Sequence, residues 1–152
     1  MLSSIRYLDG RPDLTSHPDS WWIACTVRKL TFLETDYGFS LDSLELHFRG
    51  YFVTYHSEST RFGIEFEPEL ELLIAAFRSA SPSANNAASV LRIWNLLGSR
   101  DPQGDYSPHR VRFQNVQDFV CGTVAIWADG LRSLADDILR GDLSGDLPWT
   151  TE

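Results

Sequence analysis

The chain has 152 residues, which is enough for one ordinary domain and too few for two. Hydrophobic residues make up 43% of it and charged residues 22%, so it can bury a core and is not a disordered tail. Its 13 basic residues stand against 21 acidic ones, and a net charge of -8 argues against non-specific binding to nucleic acid. We expect a single domain over 1–152, with less ordered ends at 1–16 and 143–152.

The two cysteines and the lack of long apolar segments bear on the compartment. No run approaches the roughly 18 apolar residues of a membrane span, and no signal peptide is evident at the start. Cys25 and Cys121 both lie in apolar helical stretches, which predicts two buried free thiols rather than a disulfide. We therefore expect a cytoplasmic protein with no membrane partner.

The first predicted helix covers 18–36. Ser16 and Asp19 resemble a capping pair at its start, and Gly38 is the expected stop because a residue just past a helix end often needs a positive φ. The apolar stripe at helical spacing consists of Trp22, Ile23, Val27, Leu30 and Leu33.

Three strands are expected next. Leu44, Leu46 and Phe48 alternate with polar residues, and we favour a bulge at Gly50 that carries this strand on through Tyr55. A second strand beginning at Gly50 is the alternative. A strand over 62–66 follows, joined by a hairpin connection at 58–60, with Phe62, Ile64 and Phe66 buried and the acids from Glu65 to Glu71 mainly exposed. Residues 70–78 fit both periodicities, and the turn expected at Pro68 favours a strand.

Two helices complete the prediction. The first runs from Ala87 to Leu97 and stops at Gly98, and the second runs over 115–140 with a cap at Asn115 and an end at Gly141. The predicted fold is α+β, a three-stranded antiparallel meander covered by the N-terminal helix and two C-terminal helices (α-β-β-β-α-α).

No motif names a reaction. The nucleophile elbow, the phosphate loop and the dinucleotide fingerprint are all missing from the sequence. His17, His47, His56 and His109 form no pair at ligand spacing. We therefore predict no catalytic residue, no cofactor and no metal.

Two candidate sites remain. His47, Tyr51, Tyr55 and His56 flank an aromatic strand and are a candidate pocket between the sheet and the helices. A candidate partner surface combines one tryptophan with the acidic strand residues, although a solvated sheet face explains those acids as well. Its members are Trp21, Glu65, Glu67, Glu69 and Glu71.

Three stretches carry a resemblance to known proteins. They are Leu33-Glu34-Thr35-Asp36-Tyr37-Gly38-Phe39 after the first helix, Val53-Thr54-Tyr55 in the sheet and Leu139-Arg140-Gly141-Asp142 at the last helix end. The chain resembles a loose group of small uncharacterised bacterial proteins, some of which accompany polymorphic toxins as immunity proteins. The resemblance implies a non-enzymatic cytoplasmic protein that binds another protein, and the acidic balance suits a basic toxin as that partner. The alternatives are a small-molecule-binding protein or enzyme with a pocket between sheet and helices, and a homodimeric structural subunit.

Overall fold

The computed structural model describes residues 3–4, 7–8, 11–12, 20–47, 50–67, 72–79, 89–101, 115–143 and 147–151. In chain order its elements are β1 (Ser3–Ser4), β2 (Tyr7–Leu8), β3 (Arg11–Pro12), α1 (Ser20–Lys29), α2 (Thr31–Tyr37), β4 (Ser40–His47), β5 (Gly50–His56), β6 (Thr60–Glu67), β7 (Leu72–Ser79), β8 (Ser89–Arg92), α3 (Ile93–Arg100), α4 (Val116–Leu134), α5 (Asp136–Leu139) and β9 (Thr150–Thr151).

The main sheet is an antiparallel meander. Its strand order is β1-β4-β5-β6-β7-β8-β9, and β2 pairs with β3 in a separate small ribbon. Five strands of four to eight residues, β4 to β8, form the body of the sheet, and the two-residue strands β1 and β9 lie at its edges. The α+β class is therefore confirmed, and the three-stranded meander is wrong.

The first missed strand results from a chain reversal at the place where we favoured a bulge. β4 and β5 pair antiparallel, with His47 opposite Gly50 and Leu44 opposite Val53. The residues that join them, 48 and 49, lie outside the described part of the chain. Apolar alternation runs up to the reversal and resumes after it, and no Asn-Gly or Asp-Gly dipeptide marks it, so the pattern predicted one long strand.

The second missed strand lies where a helix over 87–97 was expected. Ser89–Arg92 forms β8, which pairs with β7 through Leu91 opposite Phe77. Helix α3 then begins at Ile93 and continues past Gly98 to Arg100. In a stretch this short, buried Val90 and Leu91 fit either periodicity, and pairing with β7 decides between them. The strand preferred for 70–78 is confirmed by β7.

Both long predicted helices are broken. The helix expected over 18–36 divides at Leu30 into α1 and α2, next to Thr31, whose hydroxyl donates to the Val27 carbonyl at 3.0 Å. Such bonding back along a helix tends to bend it. The helix expected over 115–140 divides at Ala135 into α4 and α5. The expected ends are confirmed at Gly38 and Asn115, since Gly38 has a φ of 72° and the Asn115 side chain accepts from the Asp118 amide.

One face of the sheet shares the hydrophobic core with the helices, and we call it the first face. The Trp22 ring of α1 lies 4.8 Å from the Tyr51 ring and 5.5 Å from the Phe66 ring, centroid to centroid. Trp127 of α4 is fully buried and meets Trp94 of α3 edge-on at 5.8 Å. As the alternation predicts, Phe62, Ile64 and Phe66 are at most 1% exposed. Period-2 geometry then directs the intervening residues of each strand to the opposite, second face.

The two cysteines form a disulfide between α1 and α4, so the prediction of free thiols is wrong. The Cα atoms of Cys25 and Cys121 lie 5.7 Å apart, and 96 positions separate them along the chain. Helices α1 and α4 pack against each other, which brings the two residues together. The expectation of a cytoplasmic protein, which rested partly on unpaired thiols, stays a prediction. No described helix is long and apolar enough to cross a membrane.

Candidate functional site

A row of small side chains crosses the second face of the sheet. The strand register places Thr54 of β5 opposite Gly63 of β6, and Gly63 opposite Ala76 of β7. Side chains that lie opposite one another on neighbouring strands share a face, so these residues form a continuous strip of low height. A glycine inside a strand leaves the backbone bare and often marks a close approach by another molecule. This strip is the floor of the candidate site.

The next row along the strands supplies an apolar wall. Phe52 lies opposite Glu65, and Glu65 lies opposite Ile74. The Phe52 ring leans toward the floor, since a Cβ placed on Gly63 would meet its Cζ atom at 3.4 Å. Phe52 and Ile74 are both half-buried, so each keeps apolar surface available to a ligand.

The row on the other side of the floor is basic. This row contains Arg61 and Arg78, which are direct cross-strand partners in β6 and β7, and His56 of β5, which lies opposite Arg61. Arg92 of β8 lies opposite Ala76 and so extends the floor row. Arg92 is therefore a diagonal neighbour of Arg78 on the same face, at a Cα separation of about 7 to 8 Å by ordinary sheet geometry. Like charges placed directly opposite each other destabilise a strand pair. Arg61 and Arg78 are such a like-charged pair, in a chain whose net charge is -8.

These rows enclose a cavity of about 300 Å³, which we call the trough. Its floor is Thr54, Gly63 and Ala76, its apolar wall is Phe52 and Ile74, and its basic side is Arg61, Arg78 and Arg92. Asp42 and Glu65 also border the trough, as do Tyr55, Phe62 and Val90, which are at most 1% exposed. The volume is at the lower end of the range for small-molecule sites, roughly 300 to 1,000 Å³.

Polar groups beside the trough are bonded to one another. The Ser43 and Thr54 hydroxyls share a hydrogen bond of 2.5 Å, and His56 Nδ1 lies 3.5 Å from Asp42 Oδ1. The His56 and Asp42 side chains are 47% and 59% exposed. Within the described residues, no hydrogen bond joins His56 to either hydroxyl, so a nucleophile with its base is not assembled here.

The residues of the expected pocket are not brought together. Tyr51 and Tyr55 are 5% and 1% exposed, and Tyr51 lies under Trp22 on the first face. His56 is exposed on the second face, where it pairs with Asp42. His47 ends β4, and its side chain lies outside the described part of the structure. Packed aromatic rings occupy the space between Trp22 and the sheet, and the trough lies on the other side of that sheet.

The expected partner surface is divided between the two faces. Trp21 is half-buried and meets Phe66 edge-on at 6.4 Å, and Phe66 belongs to the first face. Glu65 and Glu67 alternate with Phe66 and are half-buried rather than mainly exposed. Glu69 and Glu71 lie outside the described residues, as do His17 and His109.

A second polar cluster ties the helices together away from the trough. The Arg100 guanidinium donates to the Leu134 carbonyl at 2.8 Å and to both Asp137 carboxylate oxygens at 2.5 and 2.9 Å. The bond to Leu134 satisfies a carbonyl in the last turn of α4, which ends at Ala135. The hydrogen bond from Arg100 is the main cause that lowers the pKa of Asp137. The cluster therefore has a structural role at the α4–α5 junction.

A similar contact joins α2 to α5. The Tyr37 hydroxyl donates to Asp136 Oδ1 at 2.7 Å, and Arg140 Nε donates to Asp136 Oδ2 at 3.0 Å. Bonding to the Asp136 carboxylate raises the pKa of Tyr37 and, seen from the other side, lowers the pKa of Asp136. All three side chains are at the surface, so we interpret this contact as a structural link between α2 and α5.

The arrangement of the trough suits binding. Among the described residues, no group of three or more His, Cys, Asp or Glu side chains is placed to hold a metal ion.

No family model, no curated protein and no solved structure matches this chain. Sequence reasoning missed the trough because it arises from the pairing of three strands, although Gly63 inside a strand pattern was a usable signal.

Proposed function

We propose that this chain is a non-enzymatic binding protein that holds a small ligand in the trough. The observation that carries the proposal is the trough itself, a cavity of about 300 Å³ with a glycine, Gly63, in its floor. An apolar wall with a few convergent polar groups is the usual composition of a ligand site. The pairing of Ser43 with Thr54 and of Asp42 with His56 supports binding over catalysis.

The proposal predicts that filling the floor removes the ligand. Gly63→Leu adds a side chain into the trough without a clash at Cβ, since the nearest atom would lie 3.4 Å away. Gly98→Leu adds the same bulk at an exposed position of α3, where a Cβ would meet nothing within 4 Å, and is the matched control. The proteins are purified from the native host, and the small molecules released on denaturation are compared by mass spectrometry.

We expect a molecule that wild type and Gly98→Leu release in equal amount and Gly63→Leu does not. Release of the same molecules by all three proteins, or of none by wild type, would count against a ligand in the trough. Circular dichroism checks that each variant is folded.

The narrower expectations remain predictions. A protein partner, a basic toxin, an immunity role and a homodimer each require the second molecule to be found. Trp21 and Glu65 lie at opposite faces of the sheet, so a partner that docks on one face contacts only one of them.

A further inference from the structure

We propose that the ligand of the trough is an uncharged aromatic molecule of one or two rings, which packs against Phe52. This inference rests on the proposed function, because it names the ligand class of the same cavity. Three properties of the trough support it: the charged side chains at its border are engaged within the chain, its floor and wall offer apolar surface to a flat ring, and its volume is small.

The charged side chains at the trough interact with one another and with the rest of the chain. His56 Nδ1 lies 3.5 Å from Asp42 Oδ1, and His56 also lies opposite Arg61 across β5 and β6. Glu65 and Arg78 each have a further interaction partner within the protein. An ion of either sign in the trough would meet like charge as well as opposite charge, and it would lose part of its hydration shell. The charges of the trough therefore favour an uncharged ligand.

The floor and the wall offer apolar surface at the height of a flat ring. Phe52 and Ile74 are half-buried and line the trough, so part of each side chain is open to a ligand. The Phe52 ring lies close to Gly63, where a Cβ would meet its Cζ atom at 3.4 Å and its Cε1 atom at 3.5 Å. The polar group of the floor is neutral, since the Thr54 hydroxyl is bonded to the Ser43 hydroxyl at 2.5 Å. A ring placed here removes apolar surface from water and gains an offset or edge-on contact with the Phe52 ring.

The volume of the trough limits the size of the ligand. About 300 Å³ is at the lower end of the range for small-molecule sites and admits one or two rings. A rigid aromatic body loses little conformational freedom on binding, so more of its contact energy remains as affinity. A small ring system therefore uses this limited space better than a flexible chain.

Three naphthalene compounds with the same ring system test the charge of the ligand. 1-Naphthamide is uncharged, 1-naphthoate has a carboxylate in place of the amide, and 1-naphthylmethylammonium has a positive charge. Each displaces the uncharged fluorescent reporter N-phenyl-1-naphthylamine from the wild-type protein at neutral pH. We expect the amide to displace the reporter at a concentration at least about tenfold lower than either ion requires, because each ion gives up hydration for surroundings of mixed charge.

Variants test where the reporter binds. Gly63→Leu should weaken its binding by at least about tenfold, because the new side chain fills the trough. Phe52→Leu keeps an apolar side chain but removes the ring, and should weaken binding by about three- to tenfold. Phe119→Leu is the matched control and should stay within about twofold of wild type, since Phe119 is a half-buried phenylalanine of α4, which packs on α1. Circular dichroism verifies the fold of each variant.

The outcomes separate this inference from the proposed function. If Gly63→Leu blocks the reporter but either ion displaces it as well as the amide does, the trough binds ligands and the uncharged class is wrong. Equal affinities of Phe52→Leu and Phe119→Leu for the reporter would also overturn the inference, because the ligand would then not contact the Phe52 ring. If wild type and Gly63→Leu bind the reporter equally, the proposed function falls together with the inference. The displacement series uses wild type alone, so it decides the charge of the ligand even where Phe52→Leu fails to fold.

Discussion

The disulfide between α1 and α4 gives the sharpest stability prediction. It joins Cys25 to Cys121 across 96 positions, so reduction releases a long loop in the unfolded chain. The chain-entropy relation gives about 4.7 kcal/mol for a loop of about 100 residues, and measured values are usually 2 to 4 kcal/mol. We expect the double variant Cys25→Ser/Cys121→Ser to lose about 2 to 4 kcal/mol of unfolding free energy.

Urea unfolding followed by tryptophan fluorescence measures this loss. Wild type is unfolded with and without dithiothreitol, and the double variant under both conditions is the control for any other effect of the reductant. Dithiothreitol should shift wild type to the midpoint of the double variant and leave the variant unchanged. A thiol titration that finds two free thiols in wild type unfolded without reductant, together with equal midpoints for both proteins, would refute the disulfide.

Three further predictions concern the core, the helix junction and the floor. Trp127 is fully buried, so Trp127→Ala should cost about 3 to 5 kcal/mol in urea unfolding, and a midpoint near wild type would place α4 outside the core. Arg100 lowers the pKa of Asp137 in the folded state, so the Arg100–Asp137 pair stabilises the fold at pH values above the pKa of Asp137 in the unfolded chain. This stabilisation is lost as the pH falls through the lower pKa that Asp137 has in the folded state. Asp137→Asn should therefore lower the free energy of unfolding by about 1 kcal/mol at pH 7, a value reduced because the Asp137 side chain is partly exposed to solvent. The difference in unfolding free energy between variant and wild type should narrow below about pH 4, and a difference independent of pH would contradict the ion pair. Gly63→Ala should raise the unfolding free energy by about 0.5 kcal/mol, since its Cβ meets Phe52 without a clash, and a loss above about 1 kcal/mol would show that the floor has no space.

Local signals in the sequence were reliable where one residue or one short pattern decides the structure. Gly38 ends α2 with a positive φ, and Asn115 caps α4, because both depend only on backbone conformation and on neighbouring amides. The burial of Phe62, Ile64 and Phe66 followed from strict alternation against one covered face.

Features that depend on distant residues were outside the reach of the sequence. The strand at Ser89–Arg92 exists because β7 offers Phe77 as a partner for Leu91, and no local pattern specifies that pairing. Packing of α1 on α4 decides in the same way that Cys25 and Cys121 meet. These long-range contacts also determine the sheet width, which explains why the α+β class was predictable and the number of strands was not.

The candidate site shows the same division. Alternation within β6 predicted that Phe62, Ile64 and Phe66 share the buried face, but it did not say which residues of neighbouring strands lie beside the opposite face. The trough appears only when Thr54 and Ala76 are aligned with Gly63 by the register of three strands. The pocket expected between sheet and helices was placed on the side that the aromatic core fills.

Nuclear magnetic resonance mapping of a bound dye tests the trough most directly. The fluorescent dye 1-anilinonaphthalene-8-sulfonate is titrated into the ¹⁵N-labelled protein, and the chemical-shift change of each backbone amide is followed. We expect the largest changes at Thr54, Gly63 and Ala76, with little change at Val124 in the buried part of α4. Changes concentrated on α1 and α4, or spread evenly over the chain, would contradict a binding site on the second face of the sheet.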